Sequence, residues 1–134
     1  MAENNLFELK IIKPDGMFYE GQGDFLEFNS VEGEMGVYKE HIPLTTILDV
    51  GVIRIHTDGE VKKAAVMGGF IEIQKEKITI LAEDANWPEE IDIKRAEASK
   101  KRAEERLTRK EEGLDVIRAE ASLKRAMARI GATK

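Results

Sequence analysis

The residues best suited to chemistry in this chain are arginines, and they come in rows. Arg125 and Arg129 stand one helical turn apart, and Arg118 precedes Arg125 on nearly the same side. Arg95, Arg102 and Arg106 repeat that logic earlier in the chain. Facing guanidinium rows repel each other unless an anion sits between them, and the planar arginine fork matches phosphate oxygens. The bland alternative is a solvated helix face laced with i,i+4 pairs such as Glu105–Arg109 and Glu120–Lys124. Composition alone favours the solvated face.

Other chemistries have little to work with. Serine occurs only at positions 30, 99 and 122 and histidine only at 41 and 56, with no nucleophile-elbow spacing around any of them. Two isolated histidines without carboxylates at ligand spacing give no metal site. Gly33, Gly36, Gly68 and Gly69 do not form a phosphate-cradling loop that enters a helix. Cysteine is absent, which excludes disulfides and thiol chemistry. His56 sits in an alternating strand and reads as a solvent-side residue. His41, in Glu40-His41-Ile42-Pro43-Leu44, is either structural or part of a contact surface. The chain reads as non-catalytic.

The elements that must position the arginines divide the 134 residues in two. Residues 1–87 hold 16 acids against 8 bases, whereas residues 88–134 hold 10 against 13. All the aromatics (Phe7, Phe18, Tyr19, Phe25, Phe28, Tyr38, Phe70, Trp87) lie in 1–87, so that part holds the side chains able to fill a core. The net charge of −5 argues against nucleic acid as a partner. No apolar run approaches the ~20 residues that cross a bilayer, so no direct membrane span is expected. The start, Met1-Ala-Glu-Asn-Asn, shows no signal peptide.

Residues 1–87 read as an antiparallel β-sandwich or flattened barrel of eight or more short strands. Phe7, Leu9 and Ile11 alternate with polar or outward residues, and Pro14-Asp15-Gly16 makes a turn. Asp24–Ser30 is a second strand, and Val31–Gly36 is glycine-rich enough to read as a loop. Val52, Arg54 and His56 alternate with Ile53 and Ile55, and Asp58-Gly59 turns the chain into Glu60–Met67. Gly68-Gly69 is expected to break that strand. Phe70–Ile73 and Ile78–Leu81 pair across a turn at Lys75–Lys77.

Residues 88–134 read as two helices folded into a hairpin. Pro88 suits a first helical position, with Glu89, Glu90 and Asp92 against the dipole. Helix propensity is high from Ile93 to Glu112, Gly113 is the natural stop, and a second helix runs from Leu114 to Ile130 with Gly131 beyond it. The apolar stripes are Ile93, Ala96, Ala103 and Leu107 on the first helix, and Val116, Ala119, Leu123, Ala126 and Ile130 on the second. An alanine methyl contributes about 0.8 kcal/mol on burial, against roughly 1.5–3 for a large apolar side chain. Such a hairpin closes weakly and can open.

Three segments in order, Lys13-Pro14-Asp15-Gly16…Tyr19-Glu20, Glu32-Gly33-Glu34-Met35-Gly36-Val37…His41-Ile42-Pro43-Leu44, and Gly68–Ile73…Ile78–Leu81, resemble the epsilon subunit of bacterial F-type ATP synthases. The likeness covers nearly the whole chain. It implies a rotor-docking sandwich against the gamma subunit and c-ring, with Glu34 on the c-ring side and His41 near the gamma contact. Ile91-Asp92-Ile93-Lys94-Arg95-Ala96 resembles the motif of epsilon subunits that bind ATP at the folded hairpin. The likeness assigns Ile91, Asp92, Arg95, Ala96, Arg102, Arg125 and Arg129 to a regulatory ATP site. One position departs from it: ATP-binding relatives carry an acid where this chain has Asn86.

The expected function is therefore a non-catalytic central-stalk subunit, peripheral on the cytoplasmic face of the bacterial membrane and needing no cofactor. It would couple proton flow to ATP synthesis. Its helices would reach the alpha and beta catalytic subunits to restrain ATP hydrolysis, with regulatory ATP clamping them shut. The alternatives are a nucleotide sensor with little inhibitory role and an adaptor that uses the basic hairpin.

Overall fold

Alternation at the start of the chain folds as its pattern demands: β1 (Phe7–Lys13) buries Phe7, Leu9 and Ile11 and turns Glu8 to solvent. The computed structural model describes residues 5–109, 113 and 115–134. Seven more strands follow: β2 (Gly16–Gly23), β3 (Phe25–Ser30), β4 (Gly33–Val37), β5 (Leu44–Thr57), β6 (Glu60–Ile73), β7 (Lys77–Ala82) and the short β8 (Ala85–Asn86). They hydrogen-bond in the order β2-β1-β7-β6-β5-β3-β4, with β8 added to β6. The sheet folds over a core that includes Leu26, Ile53, Ile55, Ile71 and Ile80, all essentially inaccessible to solvent. The result is the all-β sandwich expected, not closed into a barrel.

Three local expectations are corrected. One strand pair, β1 with β7, runs parallel, from Glu8 opposite Lys77 to Ile12 opposite Leu81; the other pairs are antiparallel. Gly33–Val37 is a strand rather than a loop, paired with β3 from Leu26 opposite Val37 to Ser30 opposite Gly33. Glycine serves there as room, because a Cβ on Gly36 would stand 2.6 Å from the Phe25 ring, which stacks on Tyr38. Gly68-Gly69 does not break the strand either. β6 runs through it for 14 residues, in one constant register with β5 from Leu44–Ile73 to Thr57–Glu60 in which only the Asp49–Gly68 pair is missing. Both glycines take positive φ there (86° and 134°), a conformation that favours glycine and carries the strand through.

The Asp58-Gly59 hairpin is as expected, with Thr57 opposite Glu60 and positive φ at both turn residues. Past β8, Trp87 stacks on Phe18 with centroids 4.4 Å apart. Pro88–Glu90 form a single 3-10 turn instead of the first turn of the long helix. Ile91 is extended (φ −90°, ψ 125°) and packs against a small cluster beside the sandwich. The helix α1 (Ile93–Arg109) starts only after it, with Asp92 Oδ1 accepting the Arg95 N–H at 3.1 Å. Its expected extension to Glu112 lies outside the described residues, as does the expected start of the second helix at Leu114. Gly113 has a φ of 82°.

The second helix, α2 (Val116–Ala132), is capped by Asp115, whose Oδ1 accepts from the Arg118 N–H at 3.0 Å. α1 and α2 pack through buried Ala96, Ala103, Ala119 and Ala126. The outer members of the expected stripes, Ile93 and Val116, are 45% and 49% exposed. α2 has a second contact that the periodicity did not single out. Ala128 and Ala132 pack on Ala65, Met67, Val50 and Val52 of β5 and β6. Gly131 belongs to this contact and is no helix stop, since a Cβ there would meet Val52 Cγ2 at 3.1 Å.

Candidate functional site

Folding α2 back along α1 makes a cleft of about 390 Å³ at the foot of the hairpin. Asn86 comes from β8, Glu90, Ile91 and Asp92 from the connecting turn, Arg95, Ala96 and Ser99 from α1, and Ser122, Arg125, Ala126 and Arg129 from α2. Six of the seven residues assigned to an ATP site therefore meet in one place. The seventh, Arg102, does not line the cleft; it stands one turn further along α1, with Nη2 donating to Ser99 Oγ at 3.1 Å.

The charges inside are uneven. Arg129 Nε donates to Asn86 Oδ1 at 3.1 Å, and its Nη2 is 3.9 Å from Asp84 Oδ2. Asp84 is itself paired with Lys13 at 3.3 Å. Arg95 and Arg125 have no side-chain partner among the described residues. Two acids temper the three guanidiniums. Glu90 Oε1 accepts the Trp87 N–H at 2.9 Å, and Asp92 caps α1. A cleft of this size with unpaired guanidiniums fits a small phosphorylated ligand, and pockets of roughly 300–1,000 Å³ are the usual range. Asn86, read as the departure from the family pattern, fixes Arg129 through the one oxygen an amide can offer.

The two residues assigned to subunit contacts lie outside the cleft. Glu34 is exposed on β4. The His41 ring donates from Nδ1 to the Ile42 carbonyl at 2.7 Å, and its loop is tied to the β6–β7 turn by the Glu40 N–H bonded to Lys75 O at 2.7 Å. His56 faces outward as expected, yet it is partnered, with Nε2 2.6 Å from Glu27 Oε2. A surface that sequence reasoning missed runs across the strands. Ile47 is opposite Phe70, Phe70 opposite Leu81, Leu81 opposite Ile12, and Ile12 opposite Met17. Directly paired residues share a face. Ile47, Phe70, Leu81 and Met17 are 50–56% exposed, so an apolar row crosses this face uncovered. The signal available was Phe70 standing at a position whose neighbours, Ile71 and Ile73, alternate into the core.

No helix among the described residues is long and apolar enough to cross a membrane. What the fold and cleft define together is a β-sandwich with a helical hairpin closed over a basic cleft. The family models agree in both parts: residues 6–88 match the ATP synthase delta/epsilon chain beta-sandwich domain, and residues 89–134 match its long alpha-helix domain. The chain is 44% identical over 127 residues to the ATP synthase epsilon chain of Ruminiclostridium cellulolyticum, covering 95% of each. It is 46% identical over 127 residues to that of Brevibacillus brevis, covering 94% of this chain and 96% of the relative. The fold is similar to a chain of the Euglena gracilis mitochondrial ATP synthase OSCP/F1/c-ring structure, with TM-score 0.83 and 19% identity over 100% of this chain and 85% of that one. A chain of the Tetrahymena thermophila mitochondrial central stalk/c-ring structure follows at TM-score 0.61 and 17% identity, covering 96% of each. This chain belongs to the ATP synthase delta/epsilon chain family, and its curated relatives are bacterial epsilon chains.

Proposed function

We propose that the protein is a non-catalytic rotor subunit, peripheral on the cytoplasmic face of the membrane. Its sandwich docks on the gamma subunit and c-ring, and its hairpin restrains ATP hydrolysis when it extends toward the alpha and beta subunits. ATP acts as a regulatory ligand that holds the hairpin closed. The observation that carries this reading is the cleft, where guanidiniums from both helices converge on a space of nucleotide size. A bound triphosphate satisfies Arg95 and Arg125 together and so cross-links α1 to α2. Asp92 has an oxygen left to accept from an adenine amino group or a ribose hydroxyl, and Ile91 and Ala96 supply apolar wall for the base. Glu90 and Asp92 each engage a main-chain N–H, a shaping role that supports regulation rather than hydrolysis.

The uncovered row of Ile47, Phe70, Leu81 and Met17 supports a docking role for the sandwich, because aromatic and large apolar side chains anchor interfaces. Calorimetry of the full chain with ATP tests the ligand half. Arg125→Ala or Arg129→Ala should weaken binding at least about tenfold, the loss of one charge-assisted contact. No binding heat at millimolar ATP would remove that half. The inhibitory half is tested in the assembled complex, where truncation after Trp87 should leave assembly intact and raise ATP hydrolysis. Unchanged hydrolysis would leave a sensor without an inhibitory role.

A further inference from the structure

α2 works with two faces. Ala119, Ser122, Ala126 and Arg129 look to α1 and the cleft, while Lys124, Ala128 and Gly131, at i, i+4 and i+7, look to the sandwich. The second face is made of small groups, and small groups gain little on burial. One side-chain ion pair crosses it, beside the Lys63 ammonium donating to the Lys134 carbonyl just past the helix end at 2.8 Å. Lys124 Nζ lies 2.7 Å from each oxygen of the Asp49 carboxylate, between residues 75 apart in the chain. Asp49 is set for this role by the fold. It stands at the one gap in the β5–β6 pairing, between Leu48–Gly69 and Val50–Met67, and its Oδ1 accepts the Val50 N–H at 2.8 Å, which fixes the carboxylate toward α2. Neither Asp49 nor Lys124 lines the cleft.

We propose that the Asp49–Lys124 pair is a latch that holds α2 on the sandwich when no ligand is in the cleft. Beside the Arg129 contacts to Asn86 and Asp84, the hairpin then has two separable restraints, an anion between α1 and α2 and an ion pair between α2 and β5. The first responds to ligand and the second to ionic strength. This inference rests on the proposed mobility of the hairpin but not on nucleotide binding. The Lys124 side chain is 53% and the Asp49 side chain 32% exposed, so neutralising either one gives a small change. Reversing one charge places like charges face to face, and reversing both restores the pair.

The test is hydrogen exchange of the full chain without nucleotide, at low salt and at about 0.5 M salt, where exposed pairs are screened. Asp49→Lys and Lys124→Glu should each raise exchange across Val116–Ala132 about fivefold at low salt, the effect of a ~1 kcal/mol pair. The β5 and β6 amides should stay protected, and the double reversal should return α2 to its native protection. Salt should erase most of the difference. Single reversals that leave α2 unchanged, or a double reversal as open as the worse single, overturn the latch. If Asp49→Lys also exposes β5, Lys124→Glu decides, since it alters only the helix side. Absence of ATP binding with the charge-swap rescue intact removes the nucleotide reading alone; ATP binding without rescue removes the latch alone.

Discussion

A side chain at Gly69 has nowhere to go. Its φ is 134°, and a Cβ would stand 2.0 Å from the Leu81 carbonyl oxygen, which is backbone and cannot step aside. Gly69→Ala should therefore cost at least about 3 kcal/mol, combining left-handed strain with a backbone clash. Thermal melting checks this, with Gly59→Ala as the control: Gly59 has a similar sign of φ (81°) but open space around it, and should cost about 1 kcal/mol. Asp49 supplies a second residue-scale prediction. The Lys124 ammonium bonded to its carboxylate holds its pKa below the ordinary value, against the opposing pull of burial. A lowered folded pKa means stability that is present above the ordinary carboxylate value and lost as pH falls through the lowered one. Exchange of α2 amides, corrected for intrinsic rates, should rise as the solution is acidified below about pH 4. Asp49→Asn should weaken α2 docking at neutral pH and flatten that acid step; a step of unchanged size in the variant would assign it to other carboxylates.

At the scale of elements, Gly131 sets how near α2 lies to the sheet. Gly131→Leu should drive a branched side chain into Val52 and lift the last turns, raising exchange in α2 while the sheet stays protected; unaltered α2 protection would mean that Val52 yields. The sequence made α2's face toward α1 legible, because Ala119 and Ala126 recur at helical spacing. Its face toward the sandwich was not legible, because Ala128, Gly131 and Lys124 carry no apolar signal; small size and one charge make the contact. β4 and the passage of β6 through Gly68-Gly69 were misread for a related reason. Glycine there answers to the neighbouring Phe25 ring and the Leu81 carbonyl, which are distant in sequence. β1 and the Asp58-Gly59 hairpin, by contrast, follow from period-2 burial and local turn chemistry alone. Most of the cleft was legible through a motif resemblance, but the break at Ile91 was not. Extended Ile91 packs against the cluster of Ala65, Met67, Ala128 and Ala132, a tertiary contact that overrides the helix propensity around it.

The whole molecule presents an apolar row across its sheet and, separately, a basic cleft closed by the hairpin, and these ask for different partners. Phe70 is the largest side chain of the row and 56% exposed, so Phe70→Glu removes little burial and should shift the melting temperature of the isolated chain by no more than about 2 °C. Placed at the centre of an interface, the same change sets a carboxylate where an aromatic anchor stood. Such anchors contribute 2 kcal/mol or more, so affinity for an isolated gamma subunit should fall at least about thirtyfold. Surface plasmon resonance with immobilised gamma subunit reads this directly, and calorimetry with ATP should be unchanged because Phe70 does not line the cleft. Native affinity in the variant would move docking away from this row, toward β4 with Glu34 or the loop with His41. A loss of gamma binding accompanied by a loss of ATP binding would mean that the two surfaces are coupled through β6, whose 14 residues run from Glu60 at the hairpin turn, under α2, to Ile73 in the row's half of the sheet.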